Sequence, residues 1–160
     1  MQEIFFTHIQ KQENTIDPIF QYKNTTIFLS NYVESQNYDT LADNNIGYIV
    51  NATRKYKNIF INSNQNIKYL KVPIRDDEIY ILKLNRLLPE IFNFFESAVE
   101  DNKNILFHCK RGHRRSATIV AILMIKYNNF TKQQAIDCIK NIRPNSFKPA
   151  TTINKILDWI

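Results

Sequence analysis

The sequence predicts an α/β domain with a mostly parallel sheet and helices on both faces, and three observations carry this. Short runs rich in β-branched and aromatic residues alternate with longer stretches whose apolar residues recur at three- and four-residue steps, the alternation that builds parallel sheets. The 160 residues suit one domain, which at this size buries about two thirds of its unfolded surface. Finally, Ile105-Leu106-Phe107-His108-Cys109-Lys110-Arg111-Gly112-His113-Arg114-Arg115-Ser116 runs from an apolar strand through a basic loop straight into an apolar helix. Its loop therefore falls at the carboxyl end of a strand, where such sheets bind ligands.

In chain order, residues 1–24 mix Gln, Asn and Thr with scattered apolar positions, and Asp17-Pro18 marks a turn; an irregular lead-in packed on a domain spanning 25–160 is expected. His8 is expected at the surface. Thr25–Ser30 is a strand by its β-branched and aromatic content. Tyr38, Leu41 and Ala42 fall at helical spacing within 34–44, which Asn44-Asn45 closes, and Gly47 leads into a strand over 48–52. Arg54-Lys55-Tyr56-Lys57 reads as a solvated loop, 58–62 as a short edge strand, and 69–74 as a strand ended by Pro73 and Asp76-Asp77-Glu78. Leu84, Leu87, Leu88, Ile91, Phe92, Phe95 and Val99 form the stripe of an amphipathic helix, kinked or restarted at Pro89.

Residues 105–108 are the central strand, and 116–127, apolar nearly all round, form a buried helix beneath the loop. Thr131 caps a helix carrying Ala135, Cys138, Ile139 and Ile142 on one face, and Arg143-Pro144-Asn145 breaks it. Thr151 or Thr152 starts a last helix with Ile153, Ile156, Leu157 and Ile160 inward.

Composition narrows the function classes. Hydrophobic content of 44%, with 22% charged, is ordinary for a globular protein, and no apolar run reaches the length of a membrane span. Residues 1–6 lack the features of a signal peptide, and two cysteines argue for a reducing interior, so an intracellular protein without membrane partners is expected. Two cysteines and three histidines show no metal-ligand spacing, so no metal site is expected. The net charge of +6 is focused, because Lys110, Arg111, Arg114 and Arg115 supply four cations to one loop, whose field steers anions.

The loop carries the chemistry. A backbone ring opening a helix leaves N–H groups free to surround a phosphate-sized anion. A cysteine at its base faces that helix N-terminus and several cations, the setting that yields a thiolate near neutral pH, so Cys109 is the candidate nucleophile. Arg115 can offer two parallel N–H groups to phosphoryl oxygens and meet the charge that develops there during transfer. Ser116 can donate to the sulfur as it departs, and Gly112 sits where a tight anion-binding turn calls for positive φ.

His108-Cys109 with Arg115-Ser116 resembles the His-Cys-x5-Arg-Ser signature of the cysteine-dependent protein tyrosine phosphatase superfamily, and the compact length points to its dual-specificity branch. Thr26-Ile27-Phe28-Leu29-Ser30-Asn31, Ile46-Gly47-Tyr48-Ile49-Val50-Asn51-Ala52-Thr53 and Val72-Pro73-Ile74-Arg75-Asp76 resemble that branch's opening strand, next core strand and acid-bearing segment, so the match runs from about 25 to 160. The resemblance implies a protein tyrosine phosphatase-like fold, no cofactor, and hydrolysis of phosphotyrosine and phosphoserine or phosphothreonine in a phosphorylated protein through a phosphocysteine. It implies Asp76 as general acid, with Asp77 adjacent and Glu78 next, and His108 as a support of the loop. Lys110, Arg111, Gly112, His113 and Arg114 join Arg115 as substrate-binding residues, with His113 expected to point outward.

The chain departs from the commonest pattern at Arg111 and Arg114, where small residues are usual. This basic loop is also similar to that of plant and fungal phosphatases acting on inositol pyrophosphates, and less so to the RNA 5′-triphosphatase branch, which has asparagine before the arginine and threonine after it. A polyanionic small molecule is therefore the alternative substrate, and a phosphate-binding module without catalysis the alternative of another class. The length, Asp76 and Ser116 favour a protein phosphatase over the polyanion, the joint presence of Cys109, Arg115, Ser116 and an aspartate favours catalysis over binding alone, and nucleic acid is not the expected partner.

Overall fold

A computed structural model describes residues 15–63, 65–77, 79–148 and 153–159. Five strands, β1 (Asp17–Tyr22), β2 (Thr25–Ser30), β3 (Ile46–Asn51), β4 (Lys68–Lys71) and β5 (Asn104–His108), form one sheet in the order β1-β2-β5-β3-β4. Only β1 and β2 pair antiparallel; the other three pairings are parallel, so Ser30, His108, Asn51 and Lys71 end their strands on one level. β5 lies at the centre, and its carboxyl end opens at the middle of that edge.

The side chains of successive strand residues point to opposite faces, and the sequence supplies apolar groups to both. Ile27, Leu29, Tyr48, Val50, Ile105 and Phe107 pack with α2 (Tyr80–Glu100), α3 (Arg115–Asn128) and α4 (Lys132–Ile142) in the larger core. Phe28, Ile49 and Leu106 face the other way, against Leu41 of α1 (Tyr38–Asp43). Every residue of α3 from Ser116 to Met124 is buried, as its all-round apolar pattern requires. Thr131 caps α4 in a complete capping box with Gln134. With few glycines, the chain uses asparagine for left-handed turns: Asn45, Asn102 and Asn129 take φ of 50°, 51° and 55°.

Several elements differ from the sequence-based expectation. Asp17–Tyr22 is an edge strand where an irregular lead-in was expected, and it tolerates Pro18 because the register shifts between Pro18 and Phe20. Residues 59–62 form a turn with no strand partner, leaving Ile59 and Ile61 exposed. The expected helix over 34–44 divides into a 3₁₀ turn (Glu34–Gln36) and α1, because the Asn37 side chain accepts from the Thr40 N–H and starts the helix afresh. Strand pairing in β4 ends at Lys71, short of the expected residue 74. Pro89 neither splits nor ends α2: it sits on the exposed side while Leu84, Leu88, Ile91, Phe95 and Ala98 are buried along the opposite stripe. The last helix is a 3₁₀ helix (Ile153–Trp159) with Ile156 and Leu157 buried as expected. His8, Glu78, Thr151, Thr152 and Ile160 lie outside the described residues. Among the described residues no helix is long and apolar enough to cross a membrane.

Candidate active site

The loop joining β5 to α3 closes around a sulfur. Cys109 is 3% exposed, and its Sγ accepts from the Gly112 N–H at 3.2 Å and the Ser116 hydroxyl at 3.3 Å. Burial alone would push this thiol up, but the Arg115 charge and the hydrogen bonds from Ser116 and Gly112 outweigh it and hold Cys109 below the usual thiol range. Gly112 has φ of 74°, and a Cβ there would stand 2.4 Å from the Ser30 carbonyl oxygen, so strand β2 leaves room for glycine alone.

His108 is buried under the loop. Burial, with Lys71 and Arg115 nearby, pushes its imidazole down to about 4, leaving it neutral at neutral pH. The Cys109 carbonyl can only accept, so His108 Nδ1 carries the proton of their 3.2 Å contact. The loop is tied down elsewhere by backbone: the Tyr32 N–H donates to the Lys110 carbonyl at 3.1 Å, and the Phe147 N–H to that of His113 at 2.7 Å.

The acid-bearing segment crosses the mouth. Arg115 Nη1 donates to the Ile74 carbonyl at 3.3 Å, and Arg114 Nε pairs with Asp76 Oδ2. Asp76, 16% exposed at its side chain, shares with Cys109 an opening of ~220 Å³, whose basic wall is Lys110, Arg111, Arg114 and Arg115. His113, expected to face outward, is half-buried and lines the same opening. Asp77 turns instead to Arg75 at 3.4 Å and is absent from the lining. A larger cavity of ~610 Å³ lies at the amino end of the parallel strands, where three of its polar groups satisfy one another: the Tyr48 hydroxyl donates to Asp101, and Lys68 Nζ reaches both at 3.0 Å.

Sequence reasoning passed over one site residue that carried a signal. Arg143 follows Ala135 and Ile139 at four-residue steps, which places a charge just past the end of α4 in line with its buried face. It is 2% exposed and donates to the carbonyls of Arg111 and Gly112.

Comparison with known proteins identifies the family. A family model described as "Dual specificity phosphatase, catalytic domain" matches residues 27–159. Dual specificity protein phosphatase 6 of Homo sapiens is 32% identical over 123 residues, covering 74% of this chain and 32% of that protein. Dual specificity protein phosphatase 9 of Homo sapiens is 28% identical over 133 residues, covering 83% of this chain and 34% of that one. The chain thus spans about a third of the length of these curated relatives. Among solved structures, DUSP15 superposes with a TM-score of 0.70 at 22% identity, covering 83% of this chain and 79% of that one. A leucine rich repeat and phosphatase domain containing protein from Entamoeba histolytica gives 0.70 at 15% identity over 96% and 92%. The structural likenesses establish the fold, and the family match, which runs over nearly the whole described chain, shows that this protein belongs to the dual specificity phosphatase catalytic domain family.

Proposed function

We propose that this domain is a cysteine-dependent phosphatase hydrolysing phosphotyrosine and phosphoserine or phosphothreonine in protein substrates. The supporting observation is a thiol held below its usual range by the Arg115 charge and by hydrogen bonds from Ser116 and Gly112, with a carboxylate in the same opening. In this reading the Cys109 thiolate attacks phosphorus as the ester P–O bond breaks, and Asp76 gives its proton to the departing oxygen. Water then attacks the phosphocysteine while Asp76 takes a proton from it. The P–S bond breaks, and the returning thiolate is met by the Ser116 hydroxyl. Arg115 and the loop N–H groups carry the charge on the phosphoryl oxygens in both steps.

The pairing of Arg114 with Asp76 supports a protein substrate over a polyanionic small molecule, because it engages one of the four loop cations within the protein. The names of the relatives, which call them protein phosphatases, support the same choice. The test is turnover of phosphopeptides, inositol pyrophosphates and 5′-triphosphorylated RNA by the wild-type chain and by Cys109→Ser. The reading requires phosphopeptide hydrolysis that persists in chelator, is blocked by vanadate and is lost in the mutant. Preference for either polyanion overturns the substrate, and undiminished turnover by Cys109→Ser overturns the nucleophile.

A further inference from the structure

We infer that Asp17, acting through Arg143, is a positioning residue that sets the orientation of the peptide groups around Cys109. The inference rests on the proposed cysteine chemistry and reaches outside the matched family region, which begins at residue 27.

Three contacts of Arg143 bear on the loop and β1. Its Nη2 donates to the Arg111 carbonyl at 3.2 Å, its Nε to the Gly112 carbonyl at 3.3 Å, and its Nη1 to Asp17 Oδ2 at 2.6 Å. A peptide group is planar and trans, so its C=O and N–H point in opposite directions. The Arg111 carbonyl and the Gly112 N–H are the two ends of one such plane. Arg143 grips the oxygen end, and the N–H end donates to Cys109 Sγ at 3.2 Å. The next plane is gripped in the same way at the Gly112 carbonyl, which turns the His113 N–H to the opposite side. One guanidinium fork thus holds two consecutive peptides with their donors away from it.

The fork works only if it stays buried and fixed. Its side chain is 2% exposed, and a guanidinium so far from water needs an anionic partner. Asp17, 15% exposed, supplies that partner from the first residue of β1. Without it, Arg143 gains by turning toward solvent and releasing both carbonyls. Lysine cannot substitute, since a single nitrogen cannot meet three acceptors in this fixed geometry. The site also depends on Gly112, because a Cβ there would lie 2.8 Å from Arg143 Nη2.

Two roles for the pair predict opposite signs. If Arg143 acted on Cys109 only as a positive charge, removing the Asp17 carboxylate would favour the thiolate and move thiol alkylation to lower pH. If the pair orients the peptides, the same change loosens the Gly112 N–H from the sulfur and moves alkylation to higher pH. The other charged groups around the thiol, namely Lys110, Arg111, Arg114 and Arg115 of the loop and Asp76 across the opening, are present in both cases, and His108 stays neutral.

The experiment uses the full chain as wild type, Asp17→Asn and Arg143→Lys. It measures iodoacetamide alkylation of Cys109 against pH, kcat/KM on an activated aryl phosphate, and the thermal midpoint. Both variants are expected to move the alkylation profile to higher pH and to lose about tenfold in kcat/KM, the scale of one hydrogen bond to a charged group. Arg143→Lys keeps the charge and carries the test alone should Asp17→Asn not fold. An alkylation profile that stays in place or moves to lower pH overturns the inference, whatever happens to the thermal midpoint. Alkylation needs no turnover, so failure of the proposed phosphatase chemistry, seen as an inactive wild type, is distinguishable from failure of this positioning role.

Discussion

The two cysteines occupy opposed settings. Cys138 lies on α4 where it packs against β1; its Sγ is 3.9 Å from the Ile19 carbonyl, and burial pushes its thiol up. Cys109 is buried more deeply, yet its thiol lies below the usual range. What separates them is the sign of the neighbouring groups. Cys138 sees a carbonyl oxygen, which cannot stabilise an anion, whereas Cys109 sees N–H and O–H donors from Gly112 and Ser116 and a guanidinium. Depth of burial therefore says little about reactivity until the donors around the sulfur are counted.

The sharpest way to break this contrast is to exchange each sulfur. Cys109→Ser is expected to abolish turnover while still binding phosphopeptide, and Cys138→Ser to leave kcat unchanged, as measured by steady-state kinetics and binding to the inactive protein. Equal losses in both would show that the cysteines differ only in packing. Next in size is the carboxylate that completes the Cys109 setting. Loss of a general acid costs about 10²–10⁴ in rate, more for an alkyl leaving group than for an activated phenol. Asp76→Asn should show that dependence when a phosphoserine peptide is compared with an activated aryl phosphate. Asp77→Asn, whose side chain points to Arg75, should not. The reverse result would move the acid by one residue.

How far these features were legible depends on where their signal resided. β3, β5 and α3 were readable because both faces of the strands and all sides of the helix are buried, which leaves apolar runs in the sequence. The loop was readable because Cys109, Gly112, Arg115 and Ser116 act through contacts of short sequence separation. β1 was not, because its bulge places Ile19 and Phe20 inward in succession and erases the alternation, while Asp17-Pro18 imitates a turn. The run 58–62 misled in the other direction: it has β-forming residues but pairs with no strand, and Tyr69 Oη accepts from the Phe60 N–H instead. Asp17 and Arg143 meet across 126 positions, a distance over which pattern carries no information.

His108 sharpens the comparison from inside the site, since the Arg115 charge that favours the thiolate also disfavours an imidazolium. Its folded value of about 4 lies below the ordinary 6.5, so between these values the unfolded chain binds the proton that the folded chain refuses. Stability is therefore intact above about 6.5 and falls as pH drops toward 4, by about 3 kcal/mol in all. Urea unfolding as a function of pH should show this loss, and His108→Asn should flatten it within that window. An unchanged slope in the mutant would assign the acid sensitivity to other groups.

The smallest expected effect comes from Ser116, and it separates its hydroxyl from the N–H donors at the sulfur. Its hydroxyl lies 3.3 Å from Cys109 Sγ, and its oxygen has no role in holding the loop closed, since the backbone bonds to Tyr32 and Phe147 remain without it. Ser116→Ala should therefore leave the thermal midpoint nearly unchanged and move Cys109 alkylation to higher pH. A donor to a charged acceptor is worth about 1.5–3 kcal/mol, so breakdown of the phosphocysteine, in which the sulfur regains its negative charge, should slow by about tenfold or somewhat more. Formation of the phosphocysteine starts from the thiolate and loses that stabilisation as the S–P bond forms, so it should slow far less. Rapid-mixing kinetics on an activated aryl phosphate should then show a larger burst followed by a slower steady state. If burst and steady state fall together, Ser116 acts on the ionisation of the thiol alone, and the return of the sulfur is assisted by the Gly112 N–H and Arg115 without it.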